Sequence, residues 1–541
     1  MAKKGTHTSA DYVIVGAGSA GCVMAARLSE DPNVRVVLLE AGGSDDALFV
    51  RGPGLYNLLW RTKRDWGFRT EPQSDGANRR HFWPRGKVIG GSSSLNAMIY
   101  IRGHRSNYDD WRDAGNPGWG YDDVLPFFKK SENWRGPPSE LHGTGGPLEV
   151  GEASIGRAES AHAFVEAAKE AHGYRQNDDF NGADQEGVGP YHYTLKGHRR
   201  WSAADAFLHP ARTRKNLEIV PHAHAVGLVV ERGRVKAVRY VALGKKETLT
   251  IAADREVILC GGAVGSPHLL LASGIGPADE LSRLGVELVH HLPGVGKNLQ
   301  DHLMTFVQCE MGGVVSDHFT KLRALAWAIR YAITGAGPLS HPPVHTGGFV
   351  KTSASEPRPN LQFHVVPWGM FTPNTDEACD PDTGRFLSIL PSLIYPKSRG
   401  EIRLRDANPL SAPIIDPRYL SERADLDLLV EGTKISRAIM DAKPLKAHCT
   451  SERRPGPGST TDDALADHVR ESVNTIFHPV GTCKMGPKSD RDAVVDADLR
   501  VHGLEGLRVV DGSIMPTIIG GNTHAPIVMF AEKIAAQISK G

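Results

Sequence analysis

The opening segment of the chain constrains its fold most. Tyr12-Val-Ile-Val15 is a short apolar run that ends in Gly16-Ala-Gly18-Ser19-Ala-Gly21, and residues 22–28 continue with small and apolar side chains. The pattern predicts a strand, a tight glycine turn and a helix, because each glycine has its own steric task. Gly16 lets the chain turn sharply, Gly18 lets the backbone approach a pyrophosphate, and Gly21 lets the helix lie close on its strand. The helix N-terminus that follows Ser19 then offers unpaired N–H groups to a phosphate. A second strand is predicted over residues 34–39, closed by Glu40 and Ala41, with Glu40 standing 19 residues after Gly21. An acidic side chain there accepts from ribose hydroxyls and repels a 2′-phosphate, so FAD or NAD is favoured over NADP. The spacing leaves those two open, and a glycine turn that binds nothing is the bland alternative.

Composition removes other classes. Lys+Arg 63 against Asp+Glu 62 leaves a net charge of +1, so no global field draws the chain to nucleic acid or an anionic membrane. The 541 residues, 40% of them hydrophobic, are enough for two or three lobes with a sizeable core. Six cysteines without a C-x-x-C pair favour reduced thiols in a cytoplasmic enzyme over a disulfide framework or structural zinc. The start of the chain has no apolar signal core, and no run of about 18 apolar residues follows, so neither an export signal nor a transmembrane span is expected. His222-Ala-His224 and His290-His291 lack zinc-site spacing, and no G-x-S-x-G elbow occurs, so a metal centre and a serine hydrolase are set aside. Arg199-Arg200 and residues 212–215 read as solvated surface.

A second small-residue loop, Arg85-Gly86-Lys87-Val-Ile-Gly90-Gly91-Ser92-Ser93-Ser94-Leu95-Asn96-Ala97, can present backbone N–H groups to an anion or a polar ring edge. By itself it reads equally well as a serine-rich turn. This loop, together with the segments 262–276, 293–302 and 478–486, resembles the signatures of the glucose–methanol–choline (GMC) family of FAD oxidoreductases. The likeness covers nearly the whole chain. It is greatest to the family's choline-dehydrogenase-like alcohol dehydrogenases and hydroxymethylfurfural oxidases.

The resemblance implies an α/β chain, α+β overall: a Rossmann-type FAD-binding domain beside a substrate-binding domain built on an antiparallel sheet. The implied ranges are 9–155, 205–310 and 470–541 for FAD binding, and 156–204 and 311–469 for substrate. FAD thereby replaces NAD as the expected cofactor. Arg85, Gly90, Gly91, Ser92, Asn96 and Ala97 would lie along its pyrophosphate and isoalloxazine, and Val226 would meet the adenine. Asp511 and Gly512 would meet the phosphate and ribityl portions. Asn522 and Thr523 open a predicted final helix, over residues 522–539, whose amino end would face the flavin. Some relatives attach FAD through a histidine just before the loop asparagine. Leu95 stands there, so FAD is expected to be non-covalent.

Oxidising an alcohol through a flavin needs one base beside the ring, and imidazole has a suitable proton affinity. Among 24 histidines, His478 matches the family's base and Asn522 its hydrogen-bonding partner. His524 stands where relatives usually carry asparagine, and reads as a flavin-edge contact or a packing change. Val366, Trp368 and Phe477 suggest an apolar, partly aromatic pocket. The expected reaction is oxidation of a primary alcohol, aromatic, furanic or of medium chain length, to the aldehyde. A choline dehydrogenase or oxidase and a flavin-containing hydroxynitrile lyase are the alternatives. The expected partners are the alcohol and an oxygen or quinone-type acceptor. The expected location is the cytoplasm or the periphery of the inner membrane; oligomeric state is left open.

Overall fold

A computed structural model describes residues 8–153, 158–244, 247–312, 318–319, 321–342, 344–369 and 384–540. The opening strand is Ser9–Val15, and it pairs in parallel with Val36–Leu39 on one side and Thr248–Leu259 on the other. Leu217–Val220 extends the parallel order beyond Val36–Leu39. Val36–Leu39 is buried throughout, as an unbroken apolar run in a sheet covered on both faces should be. Thr248–Leu259 serves two partners along one edge. Its first half pairs antiparallel with Arg234–Ala242, itself a hairpin with Ala223–Glu231, and its last three residues pair in parallel with Leu507–Val509. One sheet is therefore completed by stretches hundreds of residues apart in the chain.

Ser19–Leu28 is the first helix, and a Cβ at Gly21 would lie 1.9 Å from the Gly16 carbonyl oxygen. No side chain fits there, so the third glycine of the fingerprint sets the helix-to-strand distance. The final helix, His524–Ile538, packs on this first one, beginning two residues later than the expected start at 522. Arg27 reaches across from the first helix to Glu532, whose side chain is fully buried, at 2.6 Å, and Lys130 approaches the same carboxylate at 2.8 Å. A buried carboxylate without such partners would cost several kcal/mol, so these cations fix how the C-terminal helix docks.

The second sheet is antiparallel, in the order Cys449–Arg454, Val307–Met311, Gly384–Leu393, Leu361–Val366, Thr346–Val350, Gly187–Pro190. Leu361–Val366 sits in its interior and is buried at all positions. Helix Arg423–Asp441 places Ile435, Ile439 and Met440 against this sheet, each worth roughly 1.5–3 kcal/mol of transfer free energy. Leu303–Met304, Val307–Met311 and Asn474–Thr475 also pair into this sheet, although the expected ranges put residues 303–310 and 474–475 with the cofactor lobe. We propose moving these strands to the substrate lobe: the chain crosses between lobes there, and His302 and His478 flank the crossing.

Candidate active site

A cleft of about 620 Å³ runs from Glu40 and Ala223–Val226 to His478 and Asn522, between the parallel sheet and the antiparallel one. Its floor is made by the two glycine loops, which stack. A Cβ at Gly91 would lie 2.6 Å from the Cα of Gly18, whereas a Cβ at Gly18 would meet only the Cys260 oxygen, at 3.8 Å. Gly18 therefore keeps one open side, at the N-terminus of the first helix. Gly90, with φ +87, turns the second loop and lies off the lining, as Gly21 does. Gly16, Gly18, Ser19, Gly91, Ser92, Asn96 and Ala97 all face the cleft.

At one end, the Glu40 carboxylate accepts from the Ala17 N–H at 2.8 Å and the Gly42 N–H at 2.7 Å. Burial pushes its pKa up to about 7, opposed by those donors and by Lys87. Each oxygen keeps a lone pair for a hydroxyl. Ala41 and Val226 line the same end. Further along, Asp511 accepts from the Gly262 N–H, the Ser266 hydroxyl and the Ser513 N–H at 2.8, 2.6 and 2.8 Å. It thus ties the second signature to the C-terminal segment and places Gly512 on the cleft wall.

Arg200 corrects an expectation: it is buried at 2% exposure rather than solvated. Its guanidinium donates to the Val50 and Ser93 carbonyls and to the Asn96 side chain, at 2.9, 3.2 and 2.6 Å, bracing the second glycine loop from behind. His524 lines the cleft with Nδ1 3.0 Å from the Ser19 hydroxyl, while its Nε2 is buried with no protein partner. An unpaired buried polar atom costs roughly 1–3 kcal/mol. The open side of Gly18 and the remaining lone pairs of Glu40 leave room and acceptors for a dinucleotide, so the residues present fit the expected cofactor.

At the other end, an oriented chain of hydrogen bonds holds His478. His302 Nε2 lies 3.1 Å from both the Ile394 and the Ile519 carbonyl oxygens. Carbonyls only accept, so that nitrogen carries the proton. Burial keeps His302 neutral, with its pKa lowered to about 3, so its Nδ1 is an acceptor. His478 Nδ1, 3.0 Å away, must then be the donor, which leaves His478 Nε2 unprotonated, an acceptor on the cleft side. Asn522 Nδ2 donates to that Nε2 at 3.2 Å, and the Asn522 oxygen accepts from Gln362 Nε2 at 3.2 Å. Burial, then the neighbouring His302, His364 and Arg85, hold the His478 pKa well below the ordinary imidazole value.

The backbone of His478 is fixed as well. Asp301 accepts from its N–H at 2.8 Å and from the Tyr419 and Thr475 hydroxyls, both at 2.5 Å. Burial raises the Asp301 pKa to about 6 against these donors and Arg85. Phe477 adopts φ +68, uncommon for a bulky residue, and its carbonyl accepts from Arg85 at 2.7 Å. Arg85 faces the cleft, but its guanidinium is spent on the Phe477 and Pro84 carbonyls. Phe477, Val366 and Trp368 line the cleft around His478 with Met304, His364 and Leu390.

His302, Asp301 and Gln362 are the functional residues that the sequence reading missed. The first two close the segment 293–302 that carried part of the family likeness; Gln362 sits inside a strand and has no motif.

A glycine-cradled dinucleotide cleft that ends on an uncharged, oriented imidazole defines a flavin-dependent oxidoreductase. Comparison with known proteins makes the class specific. The GMC oxidoreductase profiles match residues 10–304 and 396–531. The chain is 45% identical over 532 residues to an alcohol dehydrogenase [acceptor] of Pseudomonas putida, covering 97% of this chain and 95% of that one. It is 40% identical over 553 residues to the mitochondrial choline dehydrogenase of Mus musculus, covering 98% and 89%. Among solved structures, pyridoxine 4-oxidase from Mesorbium loti matches with TM-score 0.89 and 33% identity over 98% of this chain and 100% of that one. A fungal aryl-alcohol oxidase matches with TM-score 0.84 and 26% identity over 99% of each. The chain belongs to the GMC oxidoreductase family, and it is an FAD-dependent enzyme with the family's two-lobed fold.

Leu95 is buried at 4% exposure and faces the cleft. It has no nucleophilic atom to form a bond to the flavin. Acid precipitation of the purified protein is therefore expected to leave its yellow colour in the supernatant; colour retained in the pellet would contradict this.

Proposed function

We propose that this enzyme oxidises an apolar primary alcohol, aromatic, furanic or of medium chain length, to the aldehyde, with His478 as base and Asn522 as the hydrogen-bonding partner. The observation that carries the reading is the unprotonated Nε2 of His478, which accepts from the Asn522 amide at the apolar end of the cleft. An alcohol hydroxyl entering between them donates to Nε2 while Asn522 donates to its oxygen, so proton removal and orientation are coupled. Bound FAD supplies a hydride acceptor at its N5. Val366, Trp368 and Phe477 exclude water and hold the substrate's carbon chain. Gly16, Gly18, Ser19, Glu40, Ala41, Gly91, Ser92, Asn96, Ala97, Val226, Asp511, Gly512 and Thr523 hold the cofactor, with Gly21, Arg85 and Gly90 shaping its loops.

Among the described residues, the carboxylates lining the cleft are Glu40 and Asp511. Both are already engaged by backbone N–H groups away from His478. Among the described residues a quaternary ammonium substrate therefore finds no anionic partner there, which supports the apolar alcohol over choline.

Anaerobic mixing of the holoenzyme with benzyl alcohol, hydroxymethylfurfural, hexanol and choline tests this. The first three are expected to bleach the flavin, each with a specificity constant at least about tenfold above that of choline. Preference for choline would overturn the substrate class, and a flavin left oxidised by every alcohol while a cyanohydrin is cleaved would overturn the reaction.

A further inference from the structure

Helix Lys321–Thr334 carries an apolar stripe that faces away from the protein. Leu322, Leu325, Ile329 and Ile333 are 79%, 58%, 53% and 78% exposed. At about 100° per residue they fall within about 80° of one another. The opposite side of the helix is anchored: Tyr331 is buried, and its hydroxyl donates to the His198 carbonyl at 3.2 Å. The segment against which the anchored side of this helix packs carries a second exposed apolar group, Leu48, Phe49 and Leu58. A Cβ at Gly52 would meet the Tyr331 ring at 2.9 Å, and one at Gly54 would meet the Leu339 backbone at 2.8 Å. Exposed apolar side chains gathered at this density are unusual on a protein surface that meets only water.

Cations predominate in the two segments that carry these apolar residues. Residues 318–342 contain Lys321, Arg323 and Arg330 and no Asp or Glu. Residues 47–64 contain Arg51, Arg61, Lys63 and Arg64, again without a carboxylate. Asp46, just outside, pairs with Arg51. In a chain whose net charge is only +1, an apolar face whose flanking charges are mainly cationic is a local concentration. Apolar side chains beside cations match the interface of an anionic bilayer, where the former enter the acyl boundary and the latter meet headgroup phosphates. A second copy is a poorer occupant, because two-fold symmetry would set these cations against themselves. The patch also borders the cleft: Leu58 lies between Tyr56 and Trp60, both of which line it, and the Trp60 and Phe477 rings are 5.4 Å apart.

We propose that helix Lys321–Thr334 and the 48–58 segment form a docking surface for anionic lipid membranes, which holds the cleft mouth at the bilayer without a spanning segment. Among the described residues no helix is long and apolar enough to cross a membrane, so attachment would be interfacial. The proposal does not depend on which alcohol is oxidised.

Flotation of the holoenzyme with phosphatidylcholine vesicles, with and without phosphatidylglycerol, tests it. Binding is expected to the anionic vesicles and to weaken as salt rises. The double variant Leu325→Glu, Ile329→Glu is expected to bind at least about tenfold more weakly, with its flavin content and its alcohol-driven dye reduction in vesicle-free buffer unchanged. Failure of the parent enzyme to float, or equal flotation of the variant, would overturn the proposal. So would a dimer in vesicle-free buffer that the variant converts to monomer, which would assign the patch to a second copy.

Discussion

Replacing His478 by Ala is expected to slow flavin reduction by about 10²–10⁴-fold, a loss of about 2.7–5.4 kcal/mol of transition-state stabilisation, while FAD stays bound. The two effects separate because the hydrogen-bond partners of His478 among the described residues, His302, Asn522 and Asp301, lie outside the glycine loops. Stopped-flow reduction by a saturating alcohol, alongside the flavin-to-protein absorbance ratio, measures both. Reduction at the parent rate would remove His478 as the base, whereas loss of FAD would mean that it holds the cofactor. The pH dependence follows from the buried site. The neutral imidazole is the active form and its pKa is depressed, so the parent's reduction rate should stay level as pH falls from 8 to the usual imidazole value of about 6.5, and decline only below it. A decline beginning above that value would contradict the assignment.

The cofactor lobe was legible in the sequence because its signals are local. Gly16, Gly18 and Gly21 sit within one turn, and each meets the steric demand that its spacing implies. The family signatures then placed His478 and Asn522, and the structure brings them to 3.2 Å. What stayed hidden is set by contacts distant in the chain. Arg200 looked like surface because its neighbour Arg199 is charged too; only the fold shows Ser93 and Asn96 waiting for it. Gln362 occupies a strand position where any apolar residue would satisfy the pattern, and its task exists only because Asn522 arrives opposite. The pairing of residues 303–310 into the antiparallel sheet was hidden because short strands carry little periodicity. The outward stripe of Lys321–Thr334 was equally invisible, since amphipathic spacing alone does not say which side is covered.

Replacing His302 by Leu is expected to lower the rate of flavin reduction by about 10²-fold although His302 lines no part of the cleft. His302 is a positioning residue: its Nε2–H is committed to two carbonyls, so its Nδ1 can only accept, and His478 is thereby held with its proton on Nδ1. Leucine removes that acceptor. The buried His478 Nδ1–H then has no partner, and the tautomer with the proton on Nε2, which blocks the base, gains in population. His302→Asn separates this from mere packing damage, because the asparagine oxygen can accept from Nδ1–H while its amide donates toward the carbonyls. Asn is expected to restore the rate to within about tenfold of the parent, with the level pH profile retained and the KM for alcohol little changed in both variants. Equal losses in Leu and Asn, or a loss confined to KM, would show that His302 only fills space and that the orientation of His478 comes from Asn522 and Asp301 alone.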